Sequence, residues 1–134
     1  MYRLTREMFF CYGHRLLDYD GKCAHLHGHN ARVVLTLEAP GLDPLGMVVD
    51  FGEVRERVGQ WIDEALDHRL ILSRNDPLIP VLRAHGEPVV ELDCNPTAEN
   101  LARLVCEQAR AGGLPVVQVD FWETPTCCAT YRIP

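Results

Sequence analysis

Two segments near the amino terminus alternate apolar and polar residues, which predicts a pair of adjacent β-strands. The first runs from Tyr2 to about His14, with apolar side chains at the even positions apart from Arg6. The second carries apolar residues on one face: Ala31, Val33, Leu35 and Leu37. Because side chains two residues apart point to the same side of a strand, His14, His27 and His29 share the core-facing side. We therefore expect a hairpin whose rim carries three imidazoles.

Two helices and two more strands are predicted further along the chain. Asp50 and Glu53 form a capping box at the start of the first helix, which ends near residues 66–68. The second helix begins at residues 96–97 and stops at the glycine pair 112–113. Residues 74–88, rich in Pro, Asp and Gly, are predicted as loop. Residues 89–92 are a candidate for a short strand, and they are treated as loop as well. The first helix has one apolar stripe: Val54, Val58, Trp61, Ile62, Ala65 and Leu66.

The last two strands complete an α+β arrangement in the order strand, strand, helix, helix, strand, strand. Val117, Val119 and Phe121 alternate inward, and the same alternation places Glu123 on the buried face. The final strand is expected to bury Cys127, Ala129, Tyr131 and Ile133. We predict one domain, residues 1–134, in which two hairpins form a sheet covered on one face by two helices.

Composition excludes several classes of protein. The formal charge of -6 comes with no basic cluster, so no nucleic-acid partner is expected. No apolar run reaches the roughly 18 residues that a membrane span needs. The charged amino terminus lacks the apolar region of a secretion signal, so a cytoplasmic protein with reduced cysteines is predicted.

The spacing of His27 and His29 suits a metal site. Their Cα atoms on a strand lie about 7 Å apart, so both rings can reach one ion, with His14 as the third ligand. Cys23 could be the fourth ligand of a closed structural site, or a base beside an open catalytic one. A third alternative is that these are surface histidines that bind nothing. His25 is interpreted as a loop histidine.

Two acidic positions remain ambiguous from the residues alone. Asp67 and His68 could form a proton-relaying carboxylate–imidazole pair, or a helix end at which a cationic histidine is favoured by the dipole. Glu123 interrupts an apolar face, and a buried carboxylate costs several kcal/mol unless it is paired. Its partner is either a protein cation, of which only arginine could match both oxygens, or the N–H donors of a ligand.

Six motifs taken together resemble the 6-pyruvoyl-tetrahydropterin synthase and 6-carboxy-tetrahydropterin synthase family over nearly the whole chain. In order they are His14-Arg15-Leu16, Cys23-x-x-x-His27-Gly28-His29-Asn30, Val49-Asp50-Phe51, Leu66-Asp67-His68, Asn95-Pro96-Thr97-x-Glu99-Asn100 and Trp122-Glu123-Thr124. The resemblance favours the catalytic interpretation of Asp67 and His68.

The resemblance implies a substrate, a metal and a role for each site residue. Family members act on 7,8-dihydroneopterin triphosphate and bind zinc through the histidines that match His14, His27 and His29. It further implies that Cys23 is the general base, that Asp67 and His68 relay protons, and that Glu123 and Thr97 bind the pterin ring. The implied fold is of the tunnelling (T-fold) type: a four-stranded antiparallel sheet with two helices on one face. Its sheets join into a barrel, usually a hexamer of two stacked trimers with sites between subunits.

Two regions depart from the family pattern and leave the product open. Cys11-Tyr12-Gly13 replaces the usual Ala-Ala or Ala-Ser pair, and residues 69–94 form a longer connection than in compact bacterial members. The expected lyase is 6-carboxy-tetrahydropterin synthase, which releases triphosphate and acetaldehyde on the route to queuosine and other deazapurines. One alternative is 6-pyruvoyl-tetrahydropterin synthase, which expels only triphosphate. Another is a non-catalytic oligomeric module stabilised by zinc. No role is predicted for Cys11, Cys94, Cys127 or Cys128.

Overall fold

A computed structural model describes residues 1–134 and contains one six-stranded mixed sheet. The strands in chain order are β1 Tyr2–His14, β2 His27–Ala39, β3 Arg69–Ser73, β4 Val89–Leu92, β5 Val116–Thr124 and β6 Cys127–Arg132. Their order across the sheet is β4-β3-β1-β2-β5-β6. Strands β1, β2, β5 and β6 are antiparallel neighbours, which is the predicted four-stranded sheet.

Strand β3 was not predicted, and β4 coincides with the candidate strand that was treated as loop; the two add a parallel pair beside the end of β1. Ile71 of β3 pairs with His14, and β4 pairs with β3. Adjacent residues Ile71 and Leu72 are both fully buried, so β3 lacks the alternation that reveals a strand covered on one side only. The predicted loop 74–88 also contains a short helix, α2 at Leu78–Ala84. The prediction of a loop was therefore wrong for residues 78–84.

The two predicted helices cover one face of the sheet. Helix α1 occupies residues 51–65 in three continuous segments, Phe51–Val54, the π-helical turn Arg55–Gly59, and Gln60–Ala65. Helix α3 is Ala98–Ala111, capped by Thr97. Their apolar stripes and the inward residues of the sheet form one core, which includes Phe121 and Cys106. No helix is both long and apolar enough to cross a membrane.

Three local predictions were wrong. Asp50 caps α1 by accepting a hydrogen bond from the Gly52 N–H at 2.6 Å, but Glu53 pairs with Arg57 instead of closing a capping box. The pairing of β2 with β5 is irregular at Thr36/Leu37, so Val116 and not Val117 is fully buried. A second irregularity, opposite the start of β6, leaves Cys127 exposed. A bulge changes which residues share a face of the sheet, and the alternation of apolar and polar residues does not predict where a bulge occurs.

Candidate active site

Three imidazoles meet at one end of the central hairpin. His14, at the end of β1, lies opposite His27, at the start of β2, and Tyr12 lies opposite His29. One nitrogen from each of the three rings falls within 4.8 Å of the others. The Nε2 atoms of His14 and His27 are 3.0 Å apart. We call His14, His27 and His29 the histidine cluster.

Backbone carbonyls fix two of the rings so that Nε2 faces the centre. Nδ1 of His14 lies 2.7 Å from the carbonyl oxygen of Pro96, and Nδ1 of His27 lies 2.7 Å from that of His25. Because a carbonyl oxygen only accepts, each Nδ1 carries the proton and donates it. The lone pairs on Nε2 therefore point into the cluster, as in the outer-shell contacts that orient metal-binding histidines. His25 contributes this carbonyl from outside the cluster.

The third ring, that of His29, has a nitrogen without a hydrogen-bond partner. Nε2 of His29 is buried and has no hydrogen-bond partner. Burial lowers the pKa of His14 and of His29 below the ordinary value of 6.5, although the nearby Glu123 opposes the shift in both. Neutral imidazole is the form that coordinates a metal. The cluster thus offers three nitrogen donors within reach of one another and fits a metal ion.

The low pKa of these rings predicts that the metal-free protein loses stability in acid. The unfolded chain protonates His14 and His29 below about pH 6.5, whereas the folded chain resists protonation until lower pH. Unfolding therefore becomes easier as the pH falls through 6.5. Urea midpoints of chelator-treated protein measured from pH 8 to pH 5.5 test this. His29→Gln should flatten the slope and the exposed control His85→Gln should not; a flat wild-type profile would contradict the prediction.

Cys23 lies beside the histidine cluster and does not belong to it. It is half-buried in a short 3-10 turn, Lys22–Ala24, and lines a cavity of about 200 Å³ together with His14, Thr97 and Glu123. The group of donor atoms within mutual metal-binding reach contains the three histidines without this thiol. This placement favours a thiol that faces the site over a fourth ligand.

The segment after β1 is anchored so that it forms one wall of this cavity. Arg15 donates to both oxygens of the buried Asp76, Nε to Oδ2 at 2.7 Å and Nη2 to Oδ1 at 2.5 Å. These hydrogen bonds lower the pKa of Asp76, and burial opposes them. Oδ1 of Asn95 accepts from the Leu17 N–H at 2.9 Å, and Nδ2 of Asn95 donates to the Leu17 carbonyl at 3.0 Å. The Leu16 N–H donates to the carbonyl of Cys23 at 2.9 Å.

The Glu123 carboxylate contacts side chains that the sequence analysis did not predict as its partners. Its Oε1 accepts from the Tyr12 hydroxyl at 3.3 Å and lies 3.5 Å from Nε2 of both His14 and His29. No arginine takes part. Tyr12 is only 3% exposed, and burial, followed by the charge of Glu123, raises its pKa, so the phenol remains a donor. All these contacts use Oε1, which leaves Oε2 for the cavity.

Thr97 has two functions at the same wall. Its Oγ1 accepts from the Asn100 N–H at 3.2 Å and caps α3, and the residue lines the cavity. Pro96, just before it, holds His14 through its carbonyl. One turn therefore positions the helix end, a metal-binding candidate and a cavity-lining hydroxyl.

Asp67 and His68 form the expected pair, but it lies in another cavity of the same chain. Nδ1 of His68 donates to Oδ2 of Asp67 at 2.8 Å, and Oδ1 accepts from the Cys11 N–H at 3.0 Å. Burial alone would raise the pKa of Asp67, but these hydrogen bonds outweigh it and the pKa is lowered. His68 of this pair lines a cavity of about 450 Å³ together with Cys11 and His29, whereas Cys23 lines the first cavity together with His14. Within one chain, His68 and Cys23 do not line a common cavity.

Comparison with known proteins identifies the family. The sequence model of the 6-pyruvoyl tetrahydropterin synthase family matches residues 3–134. The chain belongs to this family. It is 37% identical over 134 residues to a protein of Rickettsia bellii named 6-carboxy-5,6,7,8-tetrahydropterin synthase, covering 95% of this chain and 97% of that protein.

Solved structures share the fold. An uncharacterized protein of Wolinella succinogenes superposes with a TM-score of 0.81 at 28% identity, covering 99% of this chain and 98% of that one. The 6-pyruvoyl tetrahydropterin synthase of Caenorhabditis elegans superposes with a TM-score of 0.73 at 23% identity, with 99% and 96% covered. The predicted family and the α+β T-fold class are confirmed, with six strands in place of four.

Proposed function

We propose that the protein is a 6-carboxy-5,6,7,8-tetrahydropterin synthase, a lyase that converts 7,8-dihydroneopterin triphosphate with release of triphosphate and acetaldehyde. The supporting observation is the match of almost the entire chain to curated relatives of that name, 34–38% identical over 134 residues in three species. The cavity that joins Cys23, Thr97 and Glu123 to the histidine cluster is consistent with it. We assign the reaction to queuosine and deazapurine synthesis, in the cytoplasm.

The histidine cluster is proposed to hold zinc. Three imidazoles with an open position are a donor set that suits catalytic zinc, and a bound ion would explain why the buried Nε2 of His29 has no hydrogen-bond partner. When bound, zinc supplies a Lewis acid that acidifies a hydroxyl. One zinc per chain is expected, with His14, His27 and His29 as its protein ligands and Cys23 outside them.

The remaining residues are assigned to proton transfer and to binding. Cys23 acts as the general base on the carbon-bound proton of the substrate side chain, from its place beside the cluster. Glu123 accepts N–H donors of the pterin edge through Oε2, since the Tyr12 hydroxyl already donates to Oε1. Thr97 contacts the same ring. Asp67 and His68 relay protons as the acid partner.

The separation of the two cavities supports an assembly in which sites form between subunits. Asp67 and His68 would then act on the Cys23 site of a neighbouring chain. The sheet ends in β4 on one side and β6 on the other, and pairing of such free edges joins sheets from different subunits. We propose a hexamer built as two stacked trimers.

The proposed function is tested by incubating the purified protein with 7,8-dihydroneopterin triphosphate and analysing the products by mass. The expected products are 6-carboxytetrahydropterin and acetaldehyde. Formation of 6-pyruvoyltetrahydropterin without acetaldehyde would assign the sister activity and overturn this one. If zinc-loaded protein produces neither pterin, the enzymatic proposal is wrong and a structural zinc module becomes the explanation. Chelator-treated protein, with and without added zinc, is the control.

Glu123→Gln should weaken pterin binding by about 2–5 kcal/mol, the scale for losing one partner of a buried charged pair. The substitution replaces an acceptor oxygen by an N–H group that faces the donors of the ring. Binding of a non-reacting pterin measured by calorimetry checks it, with Glu107→Gln on the exposed face of α3 as the matched control. Unchanged affinity in Glu123→Gln would remove this residue from the pterin site.

A further inference from the structure

Cys11 contacts the Asp67–His68 pair at a cavity that His29 of the histidine cluster also lines. Its Sγ lies 3.5 Å from Nε2 of His68. Its backbone holds the pair at both ends, because the Cys11 N–H donates to Asp67 at 3.0 Å and its carbonyl accepts from the His68 N–H at 2.8 Å. Nothing in the proposed pterin chemistry uses this thiol.

The arrangement has the parts of an activated nucleophile. Asp67 accepts the proton on Nδ1 of His68 at 2.8 Å, which leaves the lone pair on Nε2 facing the sulfur. Nε2 can therefore take the thiol proton, while the carboxylate orients the ring and stabilises its charge. Cys11 is half-buried and lines the 450 Å³ cavity, whose lining also includes one basic residue, Arg69, and one acidic residue, Glu87. A small reagent can reach the sulfur from this cavity.

We propose that Cys11, His68 and Asp67 form a thiol–disulfide exchange site that accepts small-molecule disulfides. Nε2 of His68 removes the thiol proton as Sγ attacks one sulfur of the disulfide. A bond forms between Sγ and that sulfur, and the original disulfide bond breaks. The departing thiolate takes the proton from His68, so Cys11 is oxidised and the leaving sulfur is reduced.

Exchange at Cys11 would also block the acid–base pair. A group attached to Sγ stands against Nε2 of His68, the atom that the proposed synthase reaction needs for proton transfer. This consequence rests on the proposed function, but the exchange reaction itself does not. Reduction of the mixed disulfide would release His68 again.

The test measures how fast each cysteine of the intact protein reacts with 4,4′-dithiodipyridine at pH 7. Reactions are quenched in acid after short times, and labelled fractions are read by peptide mass. An ordinary free thiol is only about 3% thiolate at this pH. Because His68 can remove the thiol proton, we expect Cys11 to react about tenfold faster than the reference thiol N-acetylcysteine amide. His68→Asn should remove that advantage, and His85→Asn, at an exposed site, should not. Asparagine is chosen because His68 has a φ of 59°, which asparagine tolerates.

The outcomes separate this site from the synthase activity. A Cys11 rate no greater than that of the reference thiol, or one unchanged in His68→Asn, overturns the exchange site, even in a protein that turns over pterin. If His68→Asn does not fold, the wild-type rate decides. Where the site is present, loss of pterin turnover should follow the fraction of Cys11 labelled and be reversed by dithiothreitol. Turnover that survives complete labelling of Cys11 overturns the blocking of His68.

Discussion

Cys23→Ala should lower turnover by at least about a hundredfold while the protein keeps its metal, since positioned general bases contribute roughly 10²–10⁴-fold. The thiol lines the cavity beside His14 but lies outside the group of donor atoms that could share one ion. Removing it leaves all three imidazoles and their carbonyl partners in place. The carbon-bound proton of the substrate would then have no acceptor.

Zinc content and rate must be measured on the same sample of Cys23→Ala. Cys94→Ala is the matched control, because that half-buried thiol lines a different cavity. A variant that keeps zinc and a near-normal rate would exclude Cys23 as the base. A variant that loses zinc and thermal stability would make Cys23 a ligand, because a structural metal site contributes its binding energy to folding.

Subunits carrying Cys23→Ala and subunits carrying His68→Asn should each be nearly inactive alone and regain activity when they assemble together. Cys23 and His68 line different cavities of one chain, and the proposed site between subunits would combine Cys23 of one subunit with His68 of its neighbour. In randomly mixed oligomers about a quarter of the sites would combine two intact halves, by the symmetry of the interface. Co-expression of the two variants with different tags gives the mixed assemblies.

The control for this experiment pairs Cys23→Ala with Glu123→Gln. Both residues line the same cavity, so every site in the mixture carries one defect and no activity should return. Recovery of activity in this control would mean that different subunits contribute Cys23 and Glu123 to one site. Absence of recovery between Cys23→Ala and His68→Asn, in oligomers shown to be mixed, would contradict sites shared between subunits.

The histidine cluster was predictable because it depends on local geometry. Alternation along β1 and β2 places His14, His27 and His29 on one side of each strand, and pairing of the two strands brings His14 opposite His27. The start of the helix after Thr97 was predictable for an equally local reason. The hydroxyl of Thr97 caps the helix by accepting a hydrogen bond from the N–H three residues later, that of Asn100.

The partner of Glu123 could not be read from its neighbours in the sequence. Alternation predicted that the carboxylate of Glu123 faces inward. The free-energy cost of burying an unpaired carboxylate suggested that an arginine or a ligand would be its partner. Tyr12 supplies the hydrogen bond instead, from a strand that is separated from β5 by β2. A buried phenol on the same face as His14 was the available signal, but its reach across the sheet depends on register.

The sequence alone determined the α+β class, the family, and the strand face that carries the histidines, because residue periodicity and motif spacing act over a few neighbouring positions. Tertiary structure decided the contacts between distant segments: β3 beside β1, Glu123 with Tyr12, and Cys11 with His68. It also placed His68, the partner of Asp67, in a different cavity from Cys23. The physical reason is that strand pairing and bulges set the register between distant segments, and a shift of one residue moves a side chain to the opposite face of the sheet.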